Sequence, residues 1–250
     1  MIGKCVILAA DVLTMLEETS DLVWDAVVAE DAIPSQRLTV MGLALVDQYA
    51  GAAVRCFEIG LRYAGLALDR CFYEAMVHTL EWMTDLKLAS SHWGALPAFG
   101  TSEEFRRAGK DQAKMPPAVV RDRDKYKTEH PEAFEVKLMQ FDEARMIMQK
   151  CFGLTEAQLL SDKSTHVDVP SLAIHSRPLV AEDFFEMHEE GLDRRERSVW
   201  LSADARVLEI VRLLLLLSNK VRDQFNLPSI PEGLWQRLDQ QRMQFASEGT

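Results

Sequence analysis

"DRCFYEAMVHTLEWM", residues 69–83, decides the fold. Phe72, Met76, Leu80 and Met83 recur at three- and four-residue steps, the period of an amphipathic α-helix. The same stretch sets Arg70, Glu74 and His78 four residues apart. At 100° per residue, Arg70, Glu74, His78, Glu81 and Asp85 fall within roughly 80° of one another, and the apolar side chains spread over roughly 200°. An apolar arc that wide buries most of a helix and turns the polar line towards a groove. A solvated face carrying an Arg70–Glu74 pair, worth a few tenths of a kcal/mol, explains the same pattern, and the spacing leaves both readings open.

Helical spacing continues on either side. Residues 4–30 repeat Leu, Val, Met and Trp at three and four, and Pro34 closes that helix. Ser35 is placed to cap a second helix running to about Gly60, and the third carries the quoted stretch to about Leu88. From Ser90 to Pro117, Gly94, Pro97, Gly100, Gly109 and the Pro116-Pro117 pair break any long element, although Thr101 and Glu104 have capping-box spacing. Pro131 suits the first turn of a helix reaching about Cys151, and Thr155 with Gln158 marks another cap. "SDKSTHVDVPSLAIHSRPLV", residues 161–180, has turn formers, two prolines and two histidines but no period, and reads as a second irregular segment. Helices resume near Ala181, Ser202 and Pro231. The expectation is an all-α bundle of about seven to nine helices with two irregular inserts. It forms one domain over residues 1–250, with an N-terminal helical hairpin at 4–60, a core at 61–227 and a C-terminal helix at 231–246.

Composition narrows the function. The chain has 250 residues, 48% of them hydrophobic, enough for a sizeable core. A formal charge of −11 argues against the broad basic face that duplex DNA requires, although a local basic pocket for RNA or a nucleotide remains compatible with it. Cys5, Cys56, Cys71 and Cys151 form no CxxC pair, which fits reduced thiols. The N-terminal apolar run is cut short by Asp11, and Glu209 and Arg212 interrupt the greasy run near residue 213, so neither a signal peptide nor a membrane span is expected. The location expected is cytoplasmic.

Familiar site motifs are missing. The chain has no GxGxxG, GxxxxGK[ST], HExxH or GxSxG string, and no histidine has Glu three residues before it. No cofactor and no metal are expected, although a mononuclear cluster of Glu74, His78 and Glu81 is conceivable. His188 sits among acids near a helix end, where a surface histidine is the default, and His166 lies in the irregular segment 161–180 and is free to join His175, although nothing specifies that role.

Residues 43–83, "LALVDQYAGAAVRCFEIGLRYAGLALDRCFYEAMVHTLEWM", carry a resemblance. "AGLALDRCFYEA" is similar to the sA-x-aL-x-R-x-x-x-E-A pattern of a group of bacterial helical domains of unknown function, with Arg70 and Glu74 at its Arg and Glu. "SLAIHSRP" looks like that group's later loop, with His175 at its histidine; Ser176 stands where the group often has Gly. The resemblance spans residues 40–225. It implies a bundle related to the higher-eukaryote-and-prokaryote nucleotide-binding (HEPN) proteins, which include metal-independent RNases of toxin and antiphage systems. Those nucleases use an Arg followed four to six residues later by His. "RDKYKTEH" offers Arg123 and His130 for that role, in a charged stretch that suits a solvated loop.

Two candidate sites result. One is the pair Arg123 and His130. The other joins the third helix to the later segment: Arg70 clamps a carboxylate or phosphate, Glu74 orients it and His175 supplies acid–base chemistry. Ser171, Arg177 and His78 then bind ligand at the rim. A purely structural network of the same residues is equally compatible. Three functions fit: a defence or toxin-type effector acting as an RNase or nucleotide-processing enzyme, a non-enzymatic adaptor or regulator binding a protein partner or a second copy of itself, and a sensor of a small anion. The adaptor calls for an exposed apolar patch around Trp235 and Leu238.

Overall fold

A computed structural model of the chain describes residues 2–28, 32–94, 117–129, 141–174, 185–188, 191–194 and 202–248. Helix α1, Ile2–Val28, buries one line of side chains, Cys5, Leu8, Val12, Leu16, Val23 and Val27, at the three- and four-residue steps of its sequence. Thr19 also lies on this line and is buried; its hydroxyl donates back to the carbonyl of Met15 at 2.7 Å. Helix α2 is Pro34–Glu58. Pro34 opens α2 rather than only ending α1. The cap position belongs to Ile33, whose backbone N–H donates to the Gln36 side chain at 3.0 Å, while Ser35 is buried inside the first turn.

Gly60, with φ of 81°, takes the left-handed conformation that ends α2 and turns the chain into α3, Arg62–Thr84. The two helices approach closely: a Cβ on Gly42 would run into Thr79 Oγ1. α3 stops four residues short of Leu88. Asp85 is extended and its Oδ1 accepts from the Leu88 N–H at 2.9 Å, so a new helical stretch begins and runs over 86–94.

Helix α4, Pro117–Glu129, carries Arg123 on helical backbone, where the charged sequence suggests a loop. The Thr101–Glu104 cap and the helix start at Pro131 lie outside the described residues. Helix α5, Phe141–Phe152, ends at Gly153 with φ of 63°, and α6, Glu156–Lys163, follows under the expected Thr155–Gln158 capping box. Next come a π-helical turn, Ser164–Asp168, and α7, Val169–Ile174. The segment that lacks a period from residue 161 is thus helical as far as 174. Pro170 lies inside the unbroken helical run 156–174, directly after the π-turn, and removes one backbone donor from that run.

Phe185–His188 (β1) and Gly191–Arg194 (β2) pair as an antiparallel ribbon, so His188 stands on a strand rather than near a helix end. Helix α8, Ala203–Gln224, is capped by Ser202, and α9 is Glu232–Glu248. Val207, Leu208, Ile210, Val211, Leu213, Leu214, Leu217 and Val221 are buried over a wide arc of α8, whose other side carries Glu209 and Arg212, and this marks it as the central helix of the all-α bundle. One apolar cluster joins it to α1, α2, α3, α5, α6 and α9. Among the described residues no helix is long and apolar enough to cross a membrane.

Candidate functional site: a buried carboxylate and imidazole cluster

The core line of α3 is Leu66, Asp69, Tyr73, Met76, Leu80 and Met83, all buried. A carboxylate therefore occupies a position that helical register reserves for an apolar side chain. Burying an unpaired charge is prohibitive, so Asp69 needs partners inside the bundle. His166, in the middle of the π-turn, supplies the first: its Nδ1 lies 2.7 Å from Asp69 Oδ1, and neither residue has any exposed surface. An ionised carboxylate only accepts, so Nδ1 carries the hydrogen and donates. The imidazole stacks on Tyr73 with ring centres 5.3 Å apart and meets the edge of Phe72 at 6.4 Å.

The π-turn is what brings His166 to Asp69. The Val169 N–H bonds the Ser164 carbonyl, five residues back, so the helix is locally wider than an α-turn. Arg206 of α8 closes the other side: its guanidinium donates to the carbonyl of Thr165 and lies 3.8 Å from Asp69 Oδ2. Six residues further along α8, Arg212 donates to Asp162 of α6, and its Nε donates to Glu209 at 2.7 Å. Arg242 of α9 donates to the second Glu209 oxygen at 2.8 Å.

Burial dominates the electrostatics here. It pushes the Asp162 carboxyl above its usual range, although the Arg212 and His166 charges pull the other way and Glu209 adds to the rise. It lowers the Arg206 guanidinium against the pull of Asp69 and Glu209, and it raises the Tyr73 phenol. Within the cluster three buried polar atoms, His166 Nε2, Asp69 Oδ2 and Asp162 Oδ2, have no hydrogen-bond partner among the described residues, and the others of this kind lie elsewhere. Asp162, His166 and Glu209 each offer a ligand atom, and these atoms lie within 4.8 Å of one another.

Arg70, the neighbour of Asp69, points to the rim. Its Nε donates to Glu74 at 2.9 Å and its Nη1 to Ser171 of α7 at 2.5 Å, while Ser171 donates to the Val167 carbonyl. The structure thus brings Arg70, Glu74 and Ser171 together, with Arg70 only 24% exposed. His78 lies apart from them, paired with Glu81 at 3.2 Å and stacked on Trp82, whose Nε1 donates to His92 Nδ1 at 2.8 Å. His175, Arg177 and His130 fall outside the described residues, as does the Arg123 side chain. A groove of about 380 Å³ lined by Asp11, Met15, Glu18, Leu234 and Arg237 shares no residue with the buried cluster.

Sequence reasoning passed over Asp69, Asp162, His166, Arg206, Glu209 and Arg212 as site residues. For Asp69 a signal exists, an acid in core register between Leu66 and Tyr73. For Arg206, Glu209 and Arg212 it is a charge set among the apolar residues Val207, Leu208, Ile210, Val211 and Leu213. A π-turn leaves no periodic mark, which hides His166. Compared with protein-family models, with curated proteins and with solved structures, the chain gives no match.

Proposed function

We propose that this chain is a helical, HEPN-like sensor of a small phosphate-bearing ligand, centred where α3, the π-turn and α8 meet. The Asp69–His166 pair carries the reading: a buried imidazole fixed through Nδ1 whose Nε2 has no partner among the described residues. More than nine in ten buried polar groups are bonded in native proteins, and leaving one unmade costs roughly 1–3 kcal/mol. Three such atoms in one place are a local deficit that a bound ligand offsets. The π-turn supports the same reading, since such turns concentrate at functional sites. Arg70, braced by Glu74 and Ser171, gives an anionic group a guanidinium already held in place. The lack of exposed surface on Asp69 and His166 favours an ion or a nucleotide over a polymer.

Thermal unfolding in the presence of ATP, GTP, AMP or inorganic phosphate tests this. At least one of them should raise the melting temperature in a concentration-dependent way, and Arg70→Ala should abolish the rise. No rise with any of them would overturn the proposal.

A second reading, an effector of bacterial defence that cleaves RNA without metal, has one observation in its favour. The Asp69 contact orients His166 as a general base is oriented, leaving Nε2 to take a proton. Expression of the wild type beside His166→Ala and His175→Ala, with host growth and RNA integrity measured together, tests it: intact RNA and normal growth with the wild type would sink it. For the adaptor reading, Leu238 is buried and Trp235 packs partly against the core, so these two positions lend it no support.

A further inference from the structure

We infer that the buried cluster is a divalent metal site, with His166 Nε2, Asp162 Oδ2 and a Glu209 carboxylate oxygen as protein ligands of a first-row transition cation. This rests on the reading of the cluster as a ligand centre and assigns a cation to its interior. Each of the three residues has one candidate ligand atom within 4.8 Å of the other two residues' atoms, and burial leaves His166 Nε2 and Asp162 Oδ2 without a hydrogen-bond partner among the described residues. Ligands at about 2.0–2.2 Å from an ion stand at most about 4.4 Å apart, so modest side-chain rotation closes the set.

The surroundings are those of a metal centre. A ligating histidine commonly donates its other ring N–H to a carboxylate, which fixes the tautomer and makes the free nitrogen a better ligand. Asp69 does this for His166. Ligating carboxylates are in turn hydrogen-bonded, and Arg212 holds Asp162 through Oδ1, the oxygen the ion does not need. Glu209 is held by Arg212 through Oε2 and by Arg242 through Oε1, so it must give up one of these bonds. Arg242 is half exposed and its bond is the weaker of the two in water.

Charge allows a cation. Asp69, Asp162 and Glu209 are balanced by the guanidinium groups of Arg206, Arg212 and Arg242, and release of Arg242 into solvent leaves one negative charge for the ion to meet. A water molecule would satisfy the hydrogen bonding but not that charge, and a phosphate would enter beside the ion rather than in its place. Imidazole suits zinc, iron and nickel while carboxylates suit manganese, so the mixed set points to Zn2+ or Mn2+ rather than to Mg2+ or Ca2+. With three protein ligands, a position stays open for water or for an oxygen of a bound phosphate.

The experiment uses the full chain, stripped with EDTA and dialysed against ZnCl2, MnCl2, MgCl2 or CaCl2, with bound metal measured per chain and melting followed in parallel. One equivalent of Zn2+ or Mn2+ should bind and raise the melting temperature. Glu209→Gln, at the exposed edge of the cluster and so the variant that keeps the fold, should lose the bound ion, as should Asp162→Asn. Asp69→Asn should weaken binding about 10- to 100-fold, the usual loss for an outer partner. Co2+ substitution should give visible absorption without thiolate charge-transfer bands, which excludes the four cysteines as the source. No bound transition metal, or binding unchanged by Glu209→Gln, would overturn the assignment. If nucleotides or phosphate still raise the melting temperature in that event, the ligand-centre reading stands without the metal; if they do not, both fall.

Discussion

Asp162 is where burial and ion pairing compete most openly. Arg212 donates to it, yet desolvation wins and its folded pKa lies above the ordinary value of 3.8. A carboxyl whose pKa is higher folded than unfolded binds more protons in the native state, so its contribution favours folding at low pH and fades as pH rises through the folded value. In urea unfolding of the metal-free chain from pH 4 to pH 7, the wild type should therefore lose stability relative to Asp162→Asn as pH rises. Parallel curves would show that Asp162 titrates normally. Phe72, fully buried beneath the His166 ring edge, gives a second prediction: Phe72→Ala should cost about 3–5 kcal/mol in chemical denaturation. At this scale the sequence was only partly readable. Arg70 and Glu74 stand out by spacing, but Asp69 hides beside them, because a single acid in core register looks like one more charge in a charged helix.

The helices that pack through regular apolar stripes were the most legible. α1, α2, α8 and α9 begin and end close to where their prolines, caps and glycines put them, because their stability comes from a stripe that the sequence displays. The π-turn and α7 were not, since their serines, threonine and proline are turn formers in isolation and become helical by packing on α3. The strands Phe185–His188 and Gly191–Arg194 were not legible either, because neither shows an alternation long enough to announce it. The α2–α3 seam yields a test of packing between elements. Gly42→Ala should destabilise by roughly 1–3 kcal/mol, because the added methyl meets the Thr79 hydroxyl, and Thr79→Ala should recover part of that loss. Additive effects in the double variant would contradict the close approach.

On the scale of the whole molecule, one apolar cluster runs through nearly every long helix, and the polar cluster is set into its side where α3 and α8 meet α6 and the π-turn. All-α class and bundle architecture follow from composition and period alone, because few glycines and prolines leave long helices as the only way to bury so much apolar surface. The location of the centre does not follow, because it depends on contacts between residues 97 positions apart in the chain, as in Asp69 and His166. The polar stripe of α3 marks the helix that carries the proposed centre: Arg70 reaches Ser171 at its rim, whereas Asp69, one residue back, turns inward to His166.

That inward pair is the claim on which the rest depends, and a double-mutant cycle measures it directly. Asp69→Ala, His166→Ala and the double variant should show a coupling energy of about 1.5–3 kcal/mol in equilibrium unfolding, as expected of a buried hydrogen bond to a charged group. Strictly additive losses would mean that the two side chains do not meet, and would contradict the account.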